Sequence, residues 1–440
     1  MDTTLSTRLL ASNPWLFGRG LPSEVPQSVL PDPWVPRRQV AAASFAEAGQ
    51  AHLVIGPRQA GKSTLAWSYL RGRRRPLVLN LEEPTFRAWC RSAIGFLGDI
   101  AEAGLAPDAL FLDEAQHLEE AGLFVKGVVD AKPGFPILVT GSSSFHLLAS
   151  TRESLAGRAR RHVLLPFSLA EVCPPAESPL QRRLERDAAW LRLARVGGYP
   201  RAWLGEDATG TLSGLVEAFL LRDASDLLQV ERLDAFHTLL RLAAGQIGNL
   251  VNLSEWASIA GISVATVSRY LALMEQTHLL RLVASFSGGQ RKEVTSARKV
   301  FFLDNGLRNA LLGQVEAAFD LRPDRGALLE NLVFTELAKT LPWTKPVRYW
   351  RSLSGAEVDF VVELPGGLLA VEVKAAAQSA PRVSRSLRSF AAAYRPREAW
   401  VVNAGQDARI ELEGVPVRWV PMAVLPEALA EVAGAWATCP

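Results

Sequence analysis

The sequence predicts an α/β chain of several units, and three observations carry that expectation. From residue 51 onward, short apolar runs alternate with helical stretches, the pattern of a parallel sheet held between helices. A glycine-containing turn, GPRQAGKST (56–64), stands between the apolar run HLVI and an apolar helical run. Far downstream, EVDFVVELPGGLLAVEVK (357–374) reads as a β-hairpin whose strands carry charges among the apolar residues.

A chain of 440 residues exceeds one core, and about 150 residues per domain suggests roughly three units. The hydrophobic content of 48% supports full globular packing. With a net charge of only +3, any nucleic-acid surface has to be a local patch. Cys90, Cys173 and Cys439 lie far apart and form no CxxC pair, which fits a reducing cytosol and gives no zinc site. No apolar run is long enough to span a bilayer, and the first residues lack the apolar core of a signal peptide. A cytoplasmic protein without a membrane partner is the expectation.

In chain order, residues 1–48 are rich in Pro and Trp and read as an extended arm laid over the next unit. Residues 49–205 form the first α/β unit, with strands expected at 51–55, 76–80, 109–113, 136–140 and 162–165. Residues 206–300 are mostly helical, and residues 301–440 mix strands and helices again.

The front motif has the strand–loop–helix context of a phosphate-binding P-loop. Gly56 and Gly61 permit the tight turn, and Gly56, Pro57, Arg58, Gln59, Ala60, Gly61, Lys62, Ser63 and Thr64 form the expected nucleotide cradle. Lys62 is placed to reach the β and γ phosphates, and Ser63 to bind Mg²⁺. ALFLDEAQHL (109–118) supplies an apolar strand ending in acids. Asp113 would support Mg²⁺, and Glu114 would orient or deprotonate an attacking water. The plainer alternative is a pair of acids favouring a helix start. In ILVTGSSSFHLL (137–148), Ser142 is the expected γ-phosphate sensor, against simple helix capping. In SLAGRARR (154–161), Arg158 is the candidate arginine finger, in cis or across a subunit boundary, against an exposed Arg cluster.

With GPRQAGKST, LDEAQ, TGSSS and SLAGR in order, the sequence resembles the AAA+ superfamily, and most closely a prokaryotic group in which a domain of unknown function follows. GGYP (197–200) extends the likeness. The resemblance implies ATP hydrolysis and a homo-oligomer in which one subunit's Arg meets its neighbour's nucleotide.

NLSEWASIAGISVATVSRYLALMEQTHLLRLVASF (252–286) has helix–turn–helix spacing, with Ser254 and Ser263 as caps and Val267, Leu271 and Met274 facing inward. The strands after it would form a wing, with Arg291 and Lys292 near its tip. Such a winged helix contacts DNA or serves as a protein-packing module, and the residues leave both open.

In the back hairpin, Glu372 and Lys374 share one face of their strand. A Gly366-Gly367 turn would set Val361 opposite Glu372 and Asp359 opposite Lys374, so all three charges share that face. Two carboxylates held together suit Mg²⁺ or Mn²⁺, with Lys374 offsetting developing charge and Glu330, from an amphipathic helix at 326–339, as a further ligand. The alternative is a salt-bridge ladder. Glu330, Asp359 and Glu372-Val-Lys374 together resemble the PD-(D/E)XK nuclease superfamily, although Val358 stands where its Pro would. FFLDNGL (301–307), LLENLVFTEL, YWRSLSGAEVDFVVE and AVEVK also resemble motifs of the domain that follows the ATPase in the group above. The likeness implies a nuclease-like fold with Glu330, Asp359, Glu372 and Lys374 at its active positions. It leaves open an ATP-driven nuclease acting on DNA or a nucleotide-gated protein that binds without cutting.

Overall fold

The computed structural model describes all residues except 1–2, 25–29, 143–154, 174–177, 220–229, 289–296, 343, 377–379 and 438–440. Residues 1–165 with 276–278 form one compact unit, and 166–275 with 279–440 a second.

The first unit is built on five parallel strands, β1 (Ala51–Gly56), β2 (Pro76–Asn80), β3 (Ala109–Asp113), β4 (Ile137–Ser142) and β5 (Ala159–Val163). Their order is β2-β3-β4-β1-β5. The central strands are apolar on both faces because helices cover both. Leu53, Ile55, Leu110 and Leu112 pack with Phe96 of α4 (Ala93–Glu102) and Phe124 of α5 (Ala121–Asp130). Val54, Phe111 and Leu138 face Leu65 and Leu70 of α2 (Lys62–Leu70). α3 (Pro84–Trp89) completes the layer around the first of these cores. β5 starts earlier than the 162–165 expected. It is an edge strand whose Arg160 and Arg161 stay exposed, so its N-terminal half lacks the apolar signature of a buried strand.

The N-terminal arm is not simply extended, since it opens with α1 (Thr3–Ser12), whose Leu5 and Leu9 are buried. Directly after it, Asn13 donates to Val78 O (2.9 Å) and accepts from Val78 N–H (2.7 Å). A side-chain amide thus pairs with edge strand β2 as a further strand would. Trp15 Nε1 donates to Pro76 O at 2.6 Å alongside.

The second unit begins with α6 (Leu169–Val172), α7 (Pro179–Val196), α8 (Pro200–Leu204), α9 (Ala208–Ala218) and α10 (Leu233–Gly245). α11 (Leu253–Ala260) and α12 (Val264–Gln276) follow, bent by 99° at the break between them. Asn252, not Ser254, caps α11 by accepting from Glu255 N–H at 3.2 Å. Ser263 opens α12 by accepting from Thr266 N–H at 3.1 Å. Val267, Leu271 and Met274 are buried. β6 (Leu280–Ala284) and β7 (Arg298–Phe302) then pair antiparallel, and Arg291 and Lys292 lie outside the described residues.

The FFLDNGL motif is a structural clasp at the start of α13 (Asn305–Leu311). Buried Asp304 accepts from Gly198 N–H (2.7 Å) and Leu307 N–H (2.9 Å), while Asn309 donates to Ala194 O and Arg195 O at the end of α7. α14 (Arg325–Thr340) leads into a mixed sheet of β8 (Arg348–Arg351), β9 (Glu357–Leu364), β10 (Gly367–Lys374), β11 (Glu398–Asn403), β12 (Ala408–Leu412) and β13 (Val415–Pro421). Its order is β12-β13-β11-β10-β9-β8. α15 (Arg385–Tyr394) packs Leu387 and Phe390 against Val361 and Ala370, and α16 (Leu425–Ala437) closes the chain.

The hairpin register corrects the expected one. Leu364 pairs with Gly367 and Ala370 with Val361, so Pro365 and Gly366 are the turn residues. Gly366, at φ +86°, supplies the positive φ that follows Pro in a type II turn. The offset from the expected register is two residues, which leaves every side chain on the same face.

Candidate functional site

The front site lies at the C-terminal ends of β1, β3 and β4, where open parallel sheets place ligands. Gly56 sits so close to the backbone just after β5 that a Cβ would lie 2.0 Å from Leu164 O, so only glycine fits there. Lys62, 5% exposed, starts α2, and its ammonium donates to Gly56 O (3.1 Å) and Pro57 O (2.9 Å). Ser63 Oγ donates to Asp113 Oδ1 at 2.8 Å. Glu114 follows in a left-handed conformation, φ +54°, the kind of local strain that clusters at functional positions. Its carboxylate accepts from Gln116 Nε2.

Burial raises the Asp113 carboxyl above its ordinary range, opposed by hydrogen bonds from Thr140 and Ser63. A desolvated carboxylate beside a hydroxyl is a hard-oxygen donor pair, so Ser63 and Asp113 fit Mg²⁺. Gly56, Pro57, Arg58, Gln59, Ala60, Gly61 and Thr64 make the turn and helix start around them. Ser142 ends β4 in register with Gly56, and its side chain lies outside those described. Arg158 is not brought to this site. It precedes β5 beside Ala51, accepting that residue's N–H at 2.8 Å, and its guanidinium pairs with Asp130 at 2.5 Å. The length of β1, at about 3.3 Å per residue, separates it from the loop by about 16 Å. In this arrangement the Arg158 guanidinium is held by Asp130 and does not reach the loop of its own chain.

At the back, the ladder between β9 and β10 is regular as far as Phe360 and Val371. Beyond it, Asp359 Oδ2 accepts the Val373 N–H at 2.7 Å. Glu372, 4% exposed, accepts from Lys374 Nζ (2.6 Å) and from Ser384 Oγ (2.8 Å), the N-cap of α15. Glu330 reaches the same place from α14, whose Phe334 stacks on Phe301 of β7 at 4.8 Å. All four expected residues therefore gather in one patch. Between them stands a residue not singled out from sequence, Lys299 of β7. It is 2% exposed, and its Nζ lies 2.5 Å from Glu357 Oε1 and 3.3 Å from Glu330 Oε1. Burial first, then the Asp359 carboxylate, push Glu330 up to about 8 against the opposing Lys299. Asp359 is pushed up to about 6, again mainly by burial.

A metal centre made of Glu330, Asp359 and Glu372 is not what these contacts form. Among the described residues, no group of three or more His, Cys, Asp or Glu side chains is arranged to hold a metal ion. Each carboxylate instead meets an ammonium, a hydroxyl or a backbone amide, so the residues as arranged do not fit Mg²⁺ or Mn²⁺.

Residues 48–173 match the AAA domain family. Residues 187–318 and 325–421 match two domains of unknown function, DUF8612 and DUF4143. An uncharacterized protein of Mycobacterium tuberculosis is 31% identical over 345 residues, covering 77% of this chain and 72% of that protein. The chain belongs to this family of AAA-domain proteins. An uncharacterized protein of Haemophilus influenzae is 25% identical over 73% of this chain and 81% of its own length. Among solved structures, a Walker-type ATPase of Pyrococcus abyssi aligns with a TM-score of 0.37 at 15% identity, over 60% of this chain and 91% of that one.

Two front-site residues of this AAA-domain protein are not singled out by the sequence. Thr140 of β4, fully buried, donates to Asp113 Oδ1 and accepts from Glu114 N–H (3.3 Å), so one hydroxyl joins both acids. Its signal was a Thr inside a buried strand, two residues before Ser142. Arg37 of the arm donates to Ala60 O (2.6 Å) and Leu165 O (2.5 Å), bracing the loop from outside. Nothing local in the sequence marks it. Among the described residues, no single helix is long and apolar enough to cross a membrane.

Proposed function

We propose that this chain hydrolyses ATP at the front site and uses that cycle to control DNA held by its middle and back segments. The observation that carries the first half is the Ser63–Asp113 pair at 2.8 Å, set beside the Lys62 ammonium and next to Glu114. Ser63 and Asp113 would hold Mg²⁺, which would supply charge neutralisation to the phosphates. Lys62 exchanges its two loop carbonyls for phosphate oxygens. Glu114 orients the attacking water and accepts its proton, with Gln116 and Thr140 fixing the carboxylate and its backbone. Ser142 is the proposed γ-phosphate sensor. Arg158 acts as a finger only on a neighbouring copy, so a homo-oligomer is part of the reading.

The bent α11–α12 pair followed by the β6–β7 ribbon supports the winged-helix reading, in which exposed Ser268 and Arg269 of α12 would contact phosphate. For the back segment, the Lys299 contacts favour a nuclease-like fold that binds without cutting.

The test incubates purified protein with plasmid or branched DNA and Mg²⁺ or Mn²⁺, with and without ATP. The expected result is retarded but intact DNA, equally for wild type and Asp359→Ala. Cleavage by wild type that Asp359→Ala abolishes would show that the back site cuts. Absence of any retardation at low salt would remove DNA from the account.

A further inference from the structure

The back site brings four carboxylates together, Glu330, Glu357, Asp359 and Glu372, from α14, β9 and β10. Charges so placed repel unless a cation is shared among them. Two ammonium groups do this. Lys374 serves Glu372 from the open side at 2.6 Å, with its side chain 38% exposed. Lys299 serves Glu330 and Glu357 from inside, with its side chain only 3% exposed. Its position is over-determined. β7 pairs with β6 from Arg298 to Phe302, the Lys299 ammonium lies 5.5 Å from the Tyr349 ring centre, and Tyr349 is tied to Ala297 O at 2.9 Å. The stem therefore cannot swing away without disturbing the ribbon.

From this geometry we infer that Lys299 is a built-in counter-cation that takes the place of a divalent metal at the back acidic site. A divalent ion would draw these carboxylate oxygens to about 2.0–2.6 Å and needs a further set of oxygens around it. The ammonium instead holds two of them at hydrogen-bonding distances of 2.5 and 3.3 Å, by donors that a metal lacks. Asp359 accepts from the Val373 amide and Glu372 from the Ser384 hydroxyl, so each already spends an oxygen on a protein donor. The role rests on the reading that this domain binds without cutting, and it supplies the reason: the place from which a metal would polarise a phosphodiester is filled by the protein's own side chain. A fixed positive charge inside a ring of acids also sets what the face accepts. It offsets part of the acids' charge for approach to an anionic backbone without offering a Lewis acid.

The test is Mn²⁺ occupancy of the full chain without nucleotide, read by electron paramagnetic resonance of free Mn²⁺. Wild type and Asp359→Asn are expected to bind the same amount. Lys299→Met, close in size but uncharged, is expected to gain one Mn²⁺ per chain, and Lys299→Met/Asp359→Asn to lose it. More Mn²⁺ on wild type than on Asp359→Asn would overturn the inference, as would no gain in folded Lys299→Met. If Lys299→Met does not fold, the wild type against Asp359→Asn comparison decides alone: equal binding supports the inference and unequal binding refutes it. More Mn²⁺ on wild type than on Asp359→Asn, with DNA left intact, would sink the Lys299 role yet leave binding without cutting in place.

Discussion

Ser63 Oγ donates to Asp113 Oδ1 across 2.8 Å, tying the first turn of α2 to the last residue of β3. Thr140 binds the same carboxylate oxygen from β4, so three elements converge on one acid. Thr140→Val keeps the shape and removes the hydroxyl. We expect ATP turnover to fall about tenfold, less than the roughly 10²–10⁴-fold that an acid–base group itself supplies, because Thr140 only positions that group. The Mg²⁺ concentration for half-maximal turnover should rise as well. An unchanged Mg²⁺ dependence would show that Thr140 only packs.

Arg37 joins Ala60 O and Leu165 O while only 9% exposed. Arg37→Ala leaves two carbonyls without a charged donor, which costs about 2–3 kcal/mol. Urea unfolding should register that loss, and ATP affinity should fall with it because Ala60 is part of the loop. Arg37→Lys should recover only part, since one ammonium cannot match a fork that spans two acceptors. Full recovery with Lys would argue for charge alone.

Buried His52 and half-buried His162 give a pH dependence with a definite sign. His52 Nε2 faces Glu47 O at 3.0 Å and its Nδ1 faces His162 Nε2 at 3.2 Å. A carbonyl only accepts, so His52 carries its proton on Nε2 and accepts from His162. Burial, then His52 and Arg160, hold His162 down to about 4 from 6.5. Between those values the unfolded chain takes a proton that the folded one refuses. The contribution is therefore complete above pH 6.5 and lost as pH falls toward 4. His162→Gln should flatten the melting temperature over that window, and an unaltered slope would assign it to other groups.

Asp304→Ala should be among the most damaging changes in the second unit. It strips the partner from the Gly198 and Leu307 N–H groups inside a buried clasp, a loss of about 3 kcal/mol or more. Thermal denaturation checks this, and a shift no larger than that of a surface substitution would contradict the clasp.

Much of the architecture is legible in the sequence because it follows from burial. β1 to β4 are apolar on both faces and announce themselves, whereas β5, with Arg160 and Arg161 outward, conceals its first half. Pro and Trp mask α1, because the arm's turn residues dominate its composition. In sequence Gly366-Gly367 reads as the hairpin turn whereas Pro365-Gly366 makes it, yet the charged face is the same because side chains alternate with period two. Lys299 could not be found this way. It stands 58 residues before Glu357, and only the folded pairing of β6 with β7 carries it to the acids.

Steady-state ATP hydrolysis by wild type and Glu114→Gln tests the central claim most directly. Turnover by wild type, with bound but unhydrolysed ATP in Glu114→Gln and no binding by Lys62→Ala, is the expected result. Equal turnover in wild type and Glu114→Gln would contradict it.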